Sequence, residues 1–182
     1  MSVDLARNIL VQYSHKNLDS NELHMVHEAI TFLNQHPDAL FRTCLQGHVT
    51  GSAWIVSKDR KRVLLTHHHK LDRWFQLGGH ADGDPVPMSV SMREATEESG
   101  LKSLHVVSPE LFDFDQHEIQ ARGNEPAHWH FDFRYMIEAD SAHSLEISSE
   151  SKDLAWVLLD EVARLNPSES MLRMVRKTAS FA

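Results

Sequence analysis

Apolar and polar positions change their spacing along this chain, and the change divides it. Over residues 3–15, Val3, Leu5, Ile9, Leu10 and Tyr13 recur at helical intervals and predict a helix. A second helix is expected over 20–35, where Leu23, Val26, Ala29, Ile30 and Leu33 form one stripe. Asp19 and Glu22 have capping-box spacing at its start, and His36-Pro37 ends it, because the residue before a proline avoids the helical region. From about residue 46 the texture becomes that of strands. Residues 49–56 and 63–66 are short β-type runs split by the polar turn Lys58-Asp59-Arg60-Lys61. Residues 104–107, 111–114 and 154–158 read as further strands. Residues 128–137 alternate most clearly: His128, His130, Asp132 and Arg134 point one way, Trp129, Phe131, Phe133 and Tyr135 the other. A helical turn opens at Leu159, and 167–178 reads as a C-terminal helix. Strands mixed with a few helices predict an α/β or α+β chain. Its first 45 residues form an N-terminal helical extension, whose stripes serve packing or dimerisation.

One segment breaks the pattern of strands. Gly78-Gly79-His80 leads into a short helical stretch carrying Arg93, Glu94, Glu97 and Glu98. Asp84 is placed to cap this helix with Pro85 at its first position, and Gly100 to end it in a left-handed conformation. Met88, Met92, Ala95 and Ser99 supply a weakly apolar back. Glu94, Glu97 and Glu98 stand at i, i+3 and i+4 and so share a face. Exposed like-charge pairs at that spacing repel by a few tenths of a kcal/mol, roughly 0.2–0.5 each. The face is either a plain solvated surface or the seat of a hard divalent cation such as Mg2+, which takes carboxylate oxygens. Arg93, one turn before Glu97, can orient that carboxylate. A carboxylate-bound Mg2+ beside a glycine loop is chemistry suited to phosphate substrates.

These residues resemble the Nudix box: Gly, five residues, Glu, seven residues, then Arg-Glu-apolar-x-Glu-Glu-x-Gly-apolar. Gly79, Arg93, Glu94, Ala95, Glu97, Glu98, Gly100 and Leu101 fall in register, while Pro85 stands where the pattern has its first Glu. The resemblance implies a Nudix-type α/β/α sandwich with a mixed sheet, its core over roughly 46–165, in a domain spanning 46–182 after the extension at 1–45. It implies a metal-dependent hydrolase cleaving the diphosphate linkage of a nucleoside diphosphate joined to another group. Glu94, Glu97 and Glu98 would hold Mg2+, with Mn2+ as the alternative ion. Glu97, Glu98, Arg93 and Glu150 are the catalytic candidates; Gly78, Gly79, His80, Lys70 and Trp74 are the substrate-binding ones. The departure at Pro85 motivates a second expectation, a Nudix-fold protein that binds a nucleotide or regulates without turnover.

Composition narrows the partners. A formal net charge of -8 argues against binding a nucleic acid polymer, which needs a basic surface. Apolar residues make up 41% of the chain, ample for a core, yet no run approaches the ~18 apolar residues of a membrane span. Cys44 is the single cysteine, so no intrachain disulfide forms and a cytoplasmic location fits. The first residues lack the basic start and apolar run of a signal peptide. The expected partner is a small diphosphate substrate, with a homodimer suggested by the N-terminal helices.

The 14 histidines raise other chemistries. His67-His68-His69-Lys70 precedes the glycine segment; it is either a polar loop or a phosphate contact through Lys70 or a His. His128, His130 and Asp132 share a strand face, and two His with a carboxylate is a transition-metal set. Same-face residues sit roughly 7 Å apart along a strand, which favours lining a pocket over chelating one ion. A protein that buffers metal through its histidines is therefore a third reading. Glu150-Ser151, before the strand with Trp156, makes Glu150 either a base or a loop residue. Cys44 with His48 could form a nucleophile pair, but a lone Cys is more often a small buried hydrophobe. Trp74 is expected in the core or stacked on a base. Neither a P-loop nor a Gly-x-Gly-x-x-Gly turn is present. Gly79, not Cys, precedes His80, which argues against the related isopentenyl diphosphate isomerases, and the zinc cysteines of the NADH-cleaving branch are lacking.

Overall fold

The computed structural model describes residues 2–69, 72–147 and 151–181. Two helices come first, α1 (Asp4–Tyr13) and α2 (Ser20–Gln35), followed by β1 (Gly47–Ser57), β2 (Arg62–His68), β3 (Arg73–Phe75) and β4 (Leu77–His80). Then follow α3 (Pro87–Ser99), β5 (Leu104–Val106), β6 (Asp113–Ile119), β7 (His128–Ala139) and β8 (Ser151–Leu158). A 3-10 turn (Leu159–Glu161), α4 (Val162–Leu165) and α5 (Glu169–Ala179) close the chain.

The eight strands form one mixed sheet in the order β3-β2-β1-β7-β5, with β4 also on β1, β6 on β7 and β8 on β2. Its spine is the parallel pair β1–β7, in register from Gly47↔Trp129 to Ser57↔Ala139. Each spine strand is long enough to take two antiparallel neighbours on its outer edge. β1 pairs β4 through Thr50–Ala53 and β2 through Ile55 and Val56. β7 pairs β6 along its first half and β5 near its end. The sheet therefore splits and curls, and helices cover it in three places. Ala95 of α3 meets Ala53, Ile55, Leu64 and Ile137. Met171 and Met174 of α5 meet Trp54, Val56 and Met136. Leu10, Tyr13, Val26, Ala29 and Leu33 of α1 and α2 meet Phe114, Phe131, Phe133 and Tyr135. This is the mixed sheet with flanking helices that the spacing and the box implied, with the N-terminal helices in place.

Several local expectations are corrected. In α1 the buried set is Ala6, Leu10 and Tyr13, with the N-cap Val3 also buried, and Leu5 faces solvent. Asp19 does cap α2, accepting the Glu22 N–H at 2.8 Å, but Glu22 does not complete a capping box. Its carboxylate is buried and bonds Tyr13 and Lys177 instead. α3 starts at Pro87 with Val86 as its N-cap, not at Asp84-Pro85. Asp84 makes a tighter turn first, accepting the Val86 N–H at 2.9 Å, and a second proline then takes the first helical position. Pro87, Val90, Ser91, Ala95 and Ser99 form the buried back of α3, while Met88 and Met92 are only partly covered. Gly100 ends the helix at φ 70°, as its position implied. The strand expected at 111–114 begins at Asp113 and runs on to Ile119.

The polar face of β7 is buried where Asp132 and Arg134 lie, as are Asp113 and Asp115 on β6. Arg134 bonds Asp132 at 2.7 Å and Asp113 at 3.1 Å. Arg173 of α5 bonds Asp113 at 2.8 and 2.9 Å and Asp115 at 3.0 Å. Lys177 reaches Asp113 at 2.6 Å and also Glu22. The network ties α2, β6, β7 and α5 together. Burial would push Asp113 upward, but the Arg173 hydrogen bond and the charges of Arg134 and Lys177 overcome it and hold the carboxyl below its usual range.

Candidate functional site

The glycine segment becomes β4 and lies along β1, with Gly78 opposite Ser52 and Gly79 opposite Gly51. α3 crosses close above. A Cβ at Gly79 would lie 2.5–2.6 Å from the Glu94 carboxyl group, and one at Gly78 would strike Ser52. Only hydrogen at these positions lets the strand approach the carboxylates this closely. The Gly78 N–H donates to Glu98 Oε2 at 3.0 Å, a charge-assisted bond that aims the carboxylate. Glu94 is largely covered, with a side-chain exposure of 16%, and Glu97 faces solvent.

Arg93 is placed differently from the expectation. It pairs with its neighbour Glu94 at 2.8 Å, not with Glu97, and its guanidinium also donates to the His80 carbonyl at 2.7 Å. One planar fork thus holds α3 against the end of β4. Below that carbonyl, Arg42 and Asp82 form a bidentate pair at 2.7 and 2.6 Å.

The donor set of Glu94, Glu97 and Glu98 is entirely carboxylate oxygen, the chemistry a hard divalent cation prefers, and the missing Cβ of Gly79 lets the Glu94 carboxylate lie against β4. In that sense the residues fit Mg2+. Among the described residues, however, the ligand atoms that lie within 4.8 Å of one another belong to two other groups: His48 with His128 and His130, and His36 with Asp38 and Cys44. The three glutamates stand further apart.

His80, at the end of β4, joins the box to a group of histidine rings. Its ring centroid lies 5.0 Å from that of His48 and 4.9 Å from that of His130. Burial, then the charge of Arg42, holds His80 down to about 4. Burial lowers His48 as well. Burial and the neighbouring His117 hold His130 down to about 2. His48 and His117 were not singled out as members of such a group from the sequence. They join it only through register, since His48 and His117 are both Cα partners of His130.

The remaining candidates separate. Asp132 turns away from the histidines and accepts from Thr50 at 3.0 Å, Ser52 at 2.7 Å and Gln76 at 3.2 Å. Trp74 stacks on His67, with centroids 5.1 Å apart, beside the α5 cluster. Cys44 is 1% exposed, with its Sγ 3.9 Å from Gln46 Oε1. Lys70 and Glu150 lie outside the described residues. The groove bounded by His27, Thr31, Gln35, Gln116 and Trp129, between α2 and the β6–β7 hairpin, shares no residue with the box.

Comparison with known proteins points the same way as the box. The family model described as "NUDIX domain" matches residues 47–177. A protein of Lactococcus lactis subsp. cremoris, named as a probable DHNTP pyrophosphohydrolase, is 28% identical over 109 residues. That alignment covers 58% of this chain and 60% of the relative, so it spans under two thirds of the relative's length. Among solved structures, a NUDIX-family hydrolase from Clostridium perfringens superposes with a TM-score of 0.55 at 25% identity, covering 74% of this chain and 98% of that one. The dihydroneopterin triphosphate pyrophosphohydrolase of E. coli superposes with a TM-score of 0.60 at 18% identity, over 74% and 96%.

Proposed function

Because this chain belongs to the NUDIX domain family, we propose that it is a pyrophosphohydrolase, cleaving the diphosphate linkage of a nucleoside diphosphate or related compound joined to another group. The observation that carries this reading is the approach of Gly78 and Gly79 to the carboxylates of Glu94 and Glu98. A surface row of glutamates has no reason to lie under a strand that must be glycine. The names of the L. lactis and E. coli relatives lend support to the broad class, a phosphoanhydride substrate.

In this reading Glu94, Glu97 and Glu98 hold Mg2+, with Mn2+ as the alternative. When bound, the ion neutralises charge on the diphosphate oxygens and lowers the pKa of the attacking water. The chain's own groups do the rest. Arg93 keeps Glu94 in one rotamer by bonding it and the His80 carbonyl together. Gly78 aims Glu98. The slim backbone of Gly78 and Gly79 lets the diphosphate lie close to the carboxylates. His80, uncharged at neutral pH, can accept a proton or contact the substrate. Lys70 and Glu150 keep their proposed roles as phosphate contact and base. Trp74, already stacked on His67, is a weaker candidate for a base platform. A cytoplasmic location and a homodimer belong to the same proposal. Among the described residues no helix is long and apolar enough to cross a membrane.

The test is phosphate or nucleotide release from a panel of diphosphate compounds, with and without Mg2+, wild type beside Glu98→Gln. The expected result is Mg2+-dependent release that falls at least ~100-fold in the variant, since a metal's charge stabilisation is worth several kcal/mol. A folded protein that binds nucleotide and releases nothing from any compound would favour the non-catalytic alternative. Pro85 would then be the first residue to change to Glu.

A further inference from the structure

His48 is the most anomalous polar side chain among the described residues. It is 3% exposed, and neither buried ring nitrogen makes a hydrogen bond of good geometry, the Cys44 backbone supplying only a weak polar contact. A buried polar group left unpaired costs about 1–3 kcal/mol, and native structures rarely tolerate it without a reason. Its surroundings supply one. The His48 ring lies 4.8 Å from that of His128 and 5.0 Å from that of His130, and one ligand nitrogen from each of the three falls within 4.8 Å of the others.

His128 is already set in the tautomer a metal needs. Its Nδ1 lies 2.9 Å from the Pro126 carbonyl, which can only accept, so Nδ1 carries the proton and Nε2 carries the lone pair. A carbonyl that accepts from the far ring nitrogen is the usual support of a metal-bound imidazole. The His128 Nε2 lies 3.2 Å from His130 Nε2, a hydrogen bond whose proton sits on the His130 nitrogen, and metal binding would release that proton or move it to His130 Nδ1. A tetrahedral ion with bonds of about 2.0–2.1 Å to nitrogen sets neighbouring donor atoms about 3.3 Å apart. The strand spacing that argued against chelation is overcome because the two rings lean toward each other, and the third comes from β1 rather than from Asp132.

We infer that His48, His128 and His130 form a binding site for one divalent transition-metal ion of the Zn2+ class, separate from the carboxylates of the box. Three neutral imidazoles are a nitrogen set that suits Zn2+ and its neighbours over Mg2+, which takes oxygen. Glu125, with Oε1 3.9 Å from His128 Nε2, brings negative charge to the rim. The rings of His80 and His117 border the space beside His130. The site is defined by its ligands and does not depend on what the box hydrolyses.

The experiment is titration of metal-stripped protein with Co2+, read by visible absorption, followed by Zn2+ competition and calorimetry. The expected result is the intense band of tetrahedral Co2+ at one ion per chain, lost on adding Zn2+, with a rise in Tm when Zn2+ binds. Outer-shell substitutions typically cost 10–100-fold in metal affinity, so removing a ligand should cost more than about 100-fold. His130→Ala and His48→Ala should each do so, whereas Glu97→Gln should leave the band in place. Should His48→Ala fail to fold, His130→Ala and the wild-type spectrum still decide the matter. A wild-type protein with no tetrahedral band, or a band that survives His130→Ala or vanishes in Glu97→Gln, overturns the assignment.

Discussion

At the scale of single residues, the site turns on atoms that are missing as much as on those present. Gly79 has no Cβ, and a methyl group there would sit 2.5 Å from the Glu94 carboxyl carbon. Glu94 cannot yield freely because Arg93, itself anchored on the His80 carbonyl, holds it. Gly79→Ala should therefore displace the carboxylate while the fold survives. A misplacement near 1 Å can cost on the order of 100-fold, and a loss of at least ~10-fold in kcat/KM with an unchanged circular dichroism spectrum is expected. An alanine variant as active as wild type would show that β4 does not press on the acidic face. The glycines, the glutamates and Gly100 were legible in the sequence because they stand at short, fixed spacings along the chain, although the glycine segment proved to be strand β4 rather than a loop. The partner of Arg93 was not. Helical spacing offers Glu97 one turn on, but the His80 carbonyl pulls the guanidinium back over Glu94, and that carbonyl arrives from a different element.

Elements were legible where one face met solvent. α2 came out with the bounds its stripe implied, because its cap, its period and its terminating proline agree. Asp19→Ala should destabilise the protein by about 1 kcal/mol, read as a lower urea midpoint at unchanged slope, because it orphans the Glu22 N–H at the helix start. A midpoint within error of wild type would mean water replaces the cap at no cost. α3 was misplaced by two residues at its start, since two prolines competed for its first position. Strand edges moved for a related reason. Alternation marks where one face is buried, but β6 continues past its apolar residues on backbone bonds to β7, from Asp113↔Arg134 to Ile119↔His128.

The molecule as a whole is clamped by its buried ion network. Arg173 holds Asp113 and Asp115 from α5, and Lys177 joins Asp113 to Glu22 of α2. Removing one partner of a buried network leaves charge unpaired, so Arg173→Met should cost about 3–5 kcal/mol in chemical denaturation. A loss under ~1 kcal/mol would show that Arg134 and Lys177 suffice to pair the carboxylates. The same network sets an acid limit. Asp113 and Asp115 are both held below their unfolded values: against the pull of burial, the Arg173 bond and the arginine charges win at Asp113, and the Arg134 charge with the His117 bond at Asp115. A depressed carboxylate stabilises the fold fully above its unfolded pKa and loses that contribution as pH falls below it. Tm should thus fall steeply as pH drops below about 4, and the drop should be shallower in a folded Asp115→Asn variant. An equal slope in both would place the acid-sensitive groups elsewhere.

The amino-acid sequence by itself determined most of the helices and strands, though not β3 and β4, together with the paired glycines before an acidic helix, the family resemblance those residues carry, and the mixed α/β fold that follows from it. Each of these rests on contacts between residues close in the chain, where periodicity and turn chemistry act directly. Only the tertiary structure decided which histidines meet. His48 and His130 are 82 positions apart and became neighbours when β1 and β7 paired in parallel at one register. Only the tertiary structure, too, decided that Asp132 and Arg134 lie buried. The charge of Arg134 is matched by Asp113 and Asp115 of β6, and Arg173 and Lys177, on a helix from the far end of the chain, pair with those carboxylates in turn.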